Sequence, residues 1–290
     1  MDLYVELVNT SVSLQRIFEV LNEPVSNQNA SQGIKIVDAI RHVTYENLSK
    51  SYGEKAVLID MNLTFEIGKH YAIVGPNGSG KSTMVDILAK LESPEQGQVL
   101  VNGLNLADVN FASWMDKISV NLQNSWFFNG TIRENLTYGV GQFNDREVDS
   151  LMKVMNLDRL TINSNILDLK ISDSNLGLSG GEFQKLCLVR SLMKKAEILV
   201  MDESTSAIDK YTEQRIIEYA FNELDFKTII LVTHQLKLLE FVDEIIYIEN
   251  GCLLERGSLQ DLIEKKGPFH RLFFEQYESD CIIPSHKVIK

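Results

Sequence analysis

Hydrophobic and polar positions change their period several times along the chain, and each change marks a new element. From Leu3 to Leu21, apolar residues at Leu7, Val8, Val12, Ile17, Phe18 and Leu21 fall close to helical spacing, with too many polar residues between them for lipid. Asn22 to Gly33 (NEPVSNQNASQG) is polar and rich in turn formers, and reads as a linker. Between Ile36 and Phe65 the pattern turns to alternating and β-branched runs, broken at Ser51-Tyr52-Gly53. His70-Tyr71-Ala72-Ile73-Val74 is a short apolar run that enters a glycine-rich loop, after which Lys81 to Leu91 resumes helical spacing. Asn102-Gly103, set between Val99-Leu100-Val101 and Leu104, predicts a hairpin turn.

The middle of the chain, roughly Thr131 to Lys194, is mostly helical in pattern and holds few strand signals. Strand and helix patterns alternate again afterwards: Ile198-Leu199-Val200-Met201, a helix after Asp209, Thr228 to Thr233, and Glu244 to Ile248. Such alternation predicts an α/β fold with a mostly parallel sheet covered on both faces. The helical middle interrupts that sheet, as an inserted subdomain would. There is no internal repeat and no low-complexity tract.

With 290 residues, the chain has room for one large domain or two small ones. Its 28 basic and 40 acidic residues leave a net charge of −12, a balance that excludes nucleic acid as the expected partner. Any bound phosphate must therefore be held by local geometry rather than by a general positive field. Cys187, Cys252 and Cys281 are odd in number and widely spaced, with no CxxC pair. That argues against a disulfide framework or a zinc site and fits a reducing cytosol. No stretch approaches the roughly 20 apolar residues of a membrane span, and Met1-Asp2-Leu3-Tyr4 lacks the start of a signal peptide. The expectation is a soluble, cytosolic piece.

Gly75-Pro76-Asn77-Gly78-Ser79-Gly80-Lys81-Ser82 fits the phosphate-loop pattern GxxxxGK[ST] and lies between a predicted strand and a predicted helix. Glycines let successive backbone N–H groups turn inward around a phosphate, and the helix N-terminus adds partial positive charge. Lys81 is placed to reach the β- and γ-phosphates, and Ser82 to offer a hydroxyl to Mg²⁺. Ile198-Leu199-Val200-Met201-Asp202-Glu203 is an apolar strand ending in two carboxylates, at the ligand edge of an open α/β sheet. Asp202 suits Mg²⁺, and Glu203 is the better candidate to orient and polarise an attacking water.

Leu178-Ser179-Gly180-Gly181-Glu182 resembles the LSGGQ signature of ABC ATPases and precedes the Asp202-Glu203 pair, as in that family. Other family motifs follow in order, so the sequence is identified as a member. The resemblance, from Ile36 to about Leu272, implies a P-loop NTPase core with an antiparallel β subdomain and an inserted helical subdomain. It implies nucleotide contacts from Tyr52 (stacked on adenine), Gly75, Pro76, Asn77, Gly78, Ser79, Gly80, Lys81, Ser82, Thr83 and Gln123. Ser82, Gln123 and Asp202 would face Mg²⁺, while Glu203 and the switch residue His234 would serve hydrolysis. Leu178 to Glu182 would meet the ATP of a second nucleotide-binding domain, and Ser206-Ala207-Ile208-Asp209 looks like the D-loop.

Asn129-Gly130-Thr131-Ile132-Arg133-Glu134-Asn135 resembles the exporter branch, and Leu14 to Leu21 resembles the cytosolic tail of its last transmembrane helix. An ordinary amphipathic docking helix is the other reading of residues 1–21. The expected organisation is a cytosolic helix and linker at 1–35 after a transmembrane domain, an ATPase domain at 36–275 with a helical subdomain near 125–195, and a tail at 276–290. That places the chain at the cytoplasmic face of a membrane. Glu182 stands where the family usually has Gln, Leu169 to Asn175 departs from the exporter pattern, and Gln235 replaces a common arginine. These departures leave a homodimer and a heterodimer both open. The span from Lys81 to Ser179 holds no sustained heptads, which argues against a chromosome-maintenance ATPase. A single phosphate loop argues against a two-cassette translation factor, and the signature against a kinase. Peptide, lipid and drug-like cargoes all stay open.

Overall fold

A computed structural model describes residues 33–122, 126–140, 144–157, 166–171, 178–202 and 208–272. The expected N-terminal helix, Gln123, the stretch Glu203 to Ala207, and the tail lie outside these residues.

The β-rich segment forms a four-stranded antiparallel sheet from β1 (His42–Tyr52), β2 (Lys55–Glu66), β4 (Gln96–Val101) and β5 (Leu104–Asn105), in the order β2-β1-β4-β5. The ladder between β1 and β2 runs from His42 opposite Glu66 to Tyr52 opposite Lys55. The turn is therefore Gly53-Glu54, and Tyr52 ends the strand instead of sitting in the break the pattern predicts. Asn102 and Gly103 form the expected hairpin turn, with φ of 51° and 86°, the left-handed pair that a two-residue type I′ turn requires.

The second sheet has six strands in the order β12-β11-β3-β10-β9-β6. Tyr71–Val74 (β3), Ile118–Asn121 (β6), Ile198–Asp202 (β9), Thr228–Val232 (β10) and Glu244–Glu249 (β11) run parallel. Cys252–Gly257 (β12) returns antiparallel to β11. Gly130–Thr131 (β7) and Lys170–Ile171 (β8) form a separate antiparallel pair. Every residue of β3, β9 and β10 is buried, as a sheet covered on both faces demands.

Alternation along these strands divides the core. Ile73, Ile198, Val200, Ile230 and Val232 pack with α1 (Lys81–Leu88) and with Tyr45, Leu58 and Phe65 of the antiparallel sheet. Phe65 meets Tyr45 and Tyr71 edge-on, with centroids 6.0 and 4.9 Å apart. A short helix α2 (Phe111–Met115) seats the fully buried Trp114, whose Nε1–H donates to the Leu88 carbonyl at 2.7 Å.

On the other face, Leu199, Met201, Ile229 and Leu231 pack with the helical middle. That middle comprises α3 (Ile132–Thr137), α4 (Asp145–Val154) and α5 (Gly180–Met193); α6 (Lys210–Asn222) joins them, and α7 (Leu259–Lys265) follows β12. Cys187 is buried on α5, and burial pushes its thiol up to about 11. At the sheet end away from the phosphate loop, Glu197 binds Lys117 at 2.7 Å and Lys227 at 3.0 Å.

Candidate functional site

The apolar strand β3 delivers the chain into the loop Gly75 to Gly80, and α1 starts at Lys81. Two glycines there are obligatory for steric reasons. A Cβ on Gly75 would run into the Ile248 carbonyl, and Gly80, at φ 103°, would place one 2.6 Å from the Val57 carbonyl. Gly80 is the N-cap of α1 and supplies no side-chain cap. Every other described α-helix starts with one: Asn110, Thr131, Asn144, Ser179, Asp209 or Ser258 accepts from its own first turn. Helix α1 thus presents its first N–H groups, with the positive end of its dipole, to whatever enters the loop.

Lys81 is 5 % exposed, and its Nζ donates to the carbonyls of Gly75 and Pro76, both at 2.9 Å. Ser79 and Thr83 are buried beside it, whereas Ser82 is exposed. Gly78, Gly80, Lys81, Ser82 and Thr83 line a cleft of about 190 Å³ together with Tyr52, Lys55 and Val57. The antiparallel sheet therefore brings Tyr52 to the phosphate loop. Tyr52 is 47 % exposed, with the Lys50 ammonium 5.3 Å from its ring centroid and held there by Glu92 at 2.9 Å. Lys50, Lys55 and Val57 carry no motif of their own in the sequence, because their only signal is proximity to Tyr52.

Asp202 closes β9 and is 2 % exposed. Its register partner on β10 is Val232, just before Thr233 and His234, so Asp202 and His234 leave neighbouring strands at the same end of the sheet. The Gln235 N–H donates to Thr233 Oγ1 at 3.0 Å, and the Gln235 amide donates to the carboxylate of Glu213, a residue 3 % exposed on α6. Asp209 caps α6 by accepting from the Thr212 N–H at 2.9 Å, which holds its carboxyl below the usual range.

The signature residues stand elsewhere. Ser179 caps α5 and, with Glu182 three residues on, completes a capping box of the S-x-x-E form. Glu182 Oε2 accepts from the Ser179 N–H at 2.8 Å and from its hydroxyl at 2.7 Å, while the Glu182 N–H donates to Ser179 Oγ at 3.3 Å. These bonds hold the Glu182 carboxyl below the ordinary glutamate range. A Cβ on Gly180 would meet no atom within 4 Å. Nothing within the described chain requires a glycine there, although glycine weakens a helix by roughly 0.5–1 kcal/mol relative to alanine. None of Leu178 to Glu182, Asp209 or His234 lines the cleft.

A profile of the ABC transporter family matches residues 58–206. An uncharacterized ABC transporter ATP-binding protein of Haemophilus influenzae is 30 % identical over 276 residues, covering 95 % of this chain and 49 % of its own. The ATP-dependent lipid A-core flippase of Blochmanniella pennsylvanica is 32 % identical over 285 residues, covering 94 % and 48 %. Among solved structures, a bacterial Atm1-family ABC exporter with ATP bound superposes with a TM-score of 0.81 at 28 % identity, covering 94 % of this chain and 48 % of that one. The chain thus spans about half the length of the relatives it matches. The mixed α/β architecture is that of an exporter ATP-binding domain, and the chain belongs to the ABC transporter family.

Proposed function

We propose that the chain binds MgATP at Lys81, pairs with a second nucleotide-binding domain, and hydrolyses ATP to power translocation of a substrate through membrane segments. The observation that carries this reading is the start of α1, where Gly80 leaves the helix N-terminus open beside the buried Lys81 ammonium. In a chain of net charge −12, that cradle is a local trap for a triphosphate.

Tyr52 stacks on the base. The loop from Gly75 to Ser82, through its N–H groups other than at Pro76, with Thr83 behind them, wraps the phosphates. Ser82 and Asp202 supply the hard oxygen donors that Mg²⁺ prefers, with Gln123 as the third contact by family resemblance. When bound, Mg²⁺ neutralises charge on the β- and γ-phosphates. Glu203 orients the attacking water and His234 contacts the γ-phosphate, both roles assigned by family resemblance.

The partner supplies the other wall. Gly180 is bare for no reason within its own described chain, which supports close approach of an outside group at the N-terminus of α5. Leu178 to Glu182 then close over the ATP of the partner, an identical chain or a related one, with Asp209 nearby on the D-loop. In this organisation residues 1–35 follow a transmembrane domain, 36–275 form the ATPase domain with its helical subdomain near 125–195, and 276–290 are a tail. No helix of the described residues is long and apolar enough to cross a membrane. A relative from Bartonella bacilliformis, 31 % identical, is named a β-(1→2)glucan export ATP-binding/permease protein; the corresponding membrane half here would hold the chain at the cytoplasmic face. Trp126, just past Gln123 and exposed, faces that membrane partner.

Size-exclusion chromatography of Glu203→Gln tests the sandwich. This variant binds ATP but does not hydrolyse it, so the expected result is a monomer without nucleotide and a dimer with MgATP. A monomer under saturating ATP refutes the reading.

A further inference from the structure

The segment Trp126-Phe127-Phe128 is bound entirely by helices of the helical middle among the contacts described. Arg190, near the end of α5, donates from Nη1 to the Trp126 carbonyl at 3.0 Å. The same guanidinium lies over the Phe127 ring, 5.1 Å from its centroid, and Phe183 meets that ring at 5.2 Å. Phe183 and Arg190 are two helical turns apart and so share one face of α5. Phe128 is held from α3: its N–H donates to Asn135 Oδ1 at 2.8 Å, and the Asn135 amide returns a bond to the Phe128 carbonyl at 2.9 Å. Asn135 is fully buried, and the Phe128 ring meets Tyr138 at 5.4 Å.

Arg190 is the unusual member. It is half-buried, and no carboxylate among the described residues pairs with it. Burying a charge without a counter-ion is costly, and here a carbonyl and an aromatic face offset that cost. Phe183 directly follows Glu182 of the capping box, so the Phe127 ring touches α5 one residue beyond the signature. Trp126, at the other end of the clip, is 66 % exposed.

We propose that Arg190 is a positioning residue that clips the Trp126–Phe128 segment to the signature helix, so that a displacement at Trp126 and a displacement of Ser179 to Gly181 are one motion. The roles of the two ends rest on the exporter reading above; the clip itself rests on the contacts. The guanidinium donates to the carbonyl from one nitrogen while its central carbon lies over the ring, a fork that the compact ammonium of lysine, on its more flexible stem, reproduces poorly.

The chain has two tryptophans, so labelling with 5-fluorotryptophan gives two ¹⁹F resonances, one from buried Trp114 and one from Trp126. In the Glu203→Gln background, MgATP should shift the Trp126 line while the protein elutes as a dimer. Adding Arg190→Ala should abolish that shift and leave the dimer intact, and Arg190→Lys should behave the same way. Without nucleotide, loss of the clip should also narrow the Trp126 line. A shift that survives both Arg190 variants, or a Trp126 line that ignores ATP in a dimer retaining Arg190, overturns the proposal. Failure of the sandwich looks different, because no variant would then dimerise. The nucleotide-free line width alone would then decide, with narrowing in the Arg190 variants expected and an unchanged width overturning the clip. Should Arg190→Ala fail to fold, Arg190→Lys carries the same comparison.

Discussion

Replacing Glu182 by Gln isolates a single charge at the point where two proposed roles of one side chain oppose each other. Within the chain, Glu182 completes the capping box with three hydrogen bonds to Ser179, an arrangement that stabilises a helix by roughly 0.5–2 kcal/mol. Those bonds hold its carboxyl below the ordinary range, so it is fully ionised at neutral pH. In the proposed closed sandwich the same carboxylate would face the partner's triphosphate. At about 8 Å and an effective dielectric near 20, one pair of unit charges repels by about 2 kcal/mol. Screening over a Debye length of about 8 Å cuts this to about 0.7 kcal/mol at physiological salt, and over about 30 Å at 0.01 M to about 1.6 kcal/mol.

Gln keeps one acceptor for the cap and removes the charge. Glu182→Gln should therefore lower the apparent KM for ATP about threefold at physiological salt and about fifteenfold at 0.01 M, with ATP-driven dimerisation tightened in parallel. Steady-state ATPase of wild type and variant at the two ionic strengths measures this. An unchanged KM at both would show that Glu182 points away from the nucleotide and only caps its helix. In a heterodimer, this signature would complete the slower of the two sites.

Gly180→Ala should leave the fold intact and raise the melting temperature slightly, because the added methyl meets nothing and alanine favours a helix by about 0.5–1 kcal/mol. It should nonetheless weaken ATP-driven dimerisation on a sizing column, and equal dimerisation would remove the argument that a partner approaches there. GTP should support hydrolysis within about tenfold of ATP, since Tyr52 offers a ring face rather than an edge-reading hydrogen-bond pair; a rate a thousandfold lower would contradict this. Gln235→Ala should cut kcat by about tenfold and leave KM for ATP unchanged, because it unties the His234 loop from buried Glu213 at the cost of about one hydrogen bond to a charged group. Gln235→Arg should retain the rate, and a loss confined to KM would place Gln235 in nucleotide binding instead.

Chemistry carried by adjacent residues is legible in the amino-acid sequence alone. The phosphate loop, framed by β3 and α1, puts glycine at the positions where a side chain would clash or the backbone turns left-handed, Gly75, Gly78 and Gly80. The Asn102-Gly103 turn and the Ser179–Glu182 capping box are equally local, and both appear where four neighbouring residues predict them. Elements that depend on distant partners leave no such trace. Strand β6 has the four residues Ile118-Ser119-Val120-Asn121, too few to show a period, and exists because β9 offers it an edge. Strand β12 gives no clear signal because Asn250-Gly251 folds it back antiparallel after a parallel run. Tyr52 can be named as a candidate from its motif, but only the long β1–β2 ladder carries its ring to Lys81. Arg190 looks like one more charge on a helix until folding sets it against Trp126 and Phe127, 64 residues away from Trp126 in sequence. Hydrogen bonding within a turn is decided by neighbours a few residues apart, whereas burial, strand order and the company of a buried charge are decided by whichever surfaces the whole chain brings together.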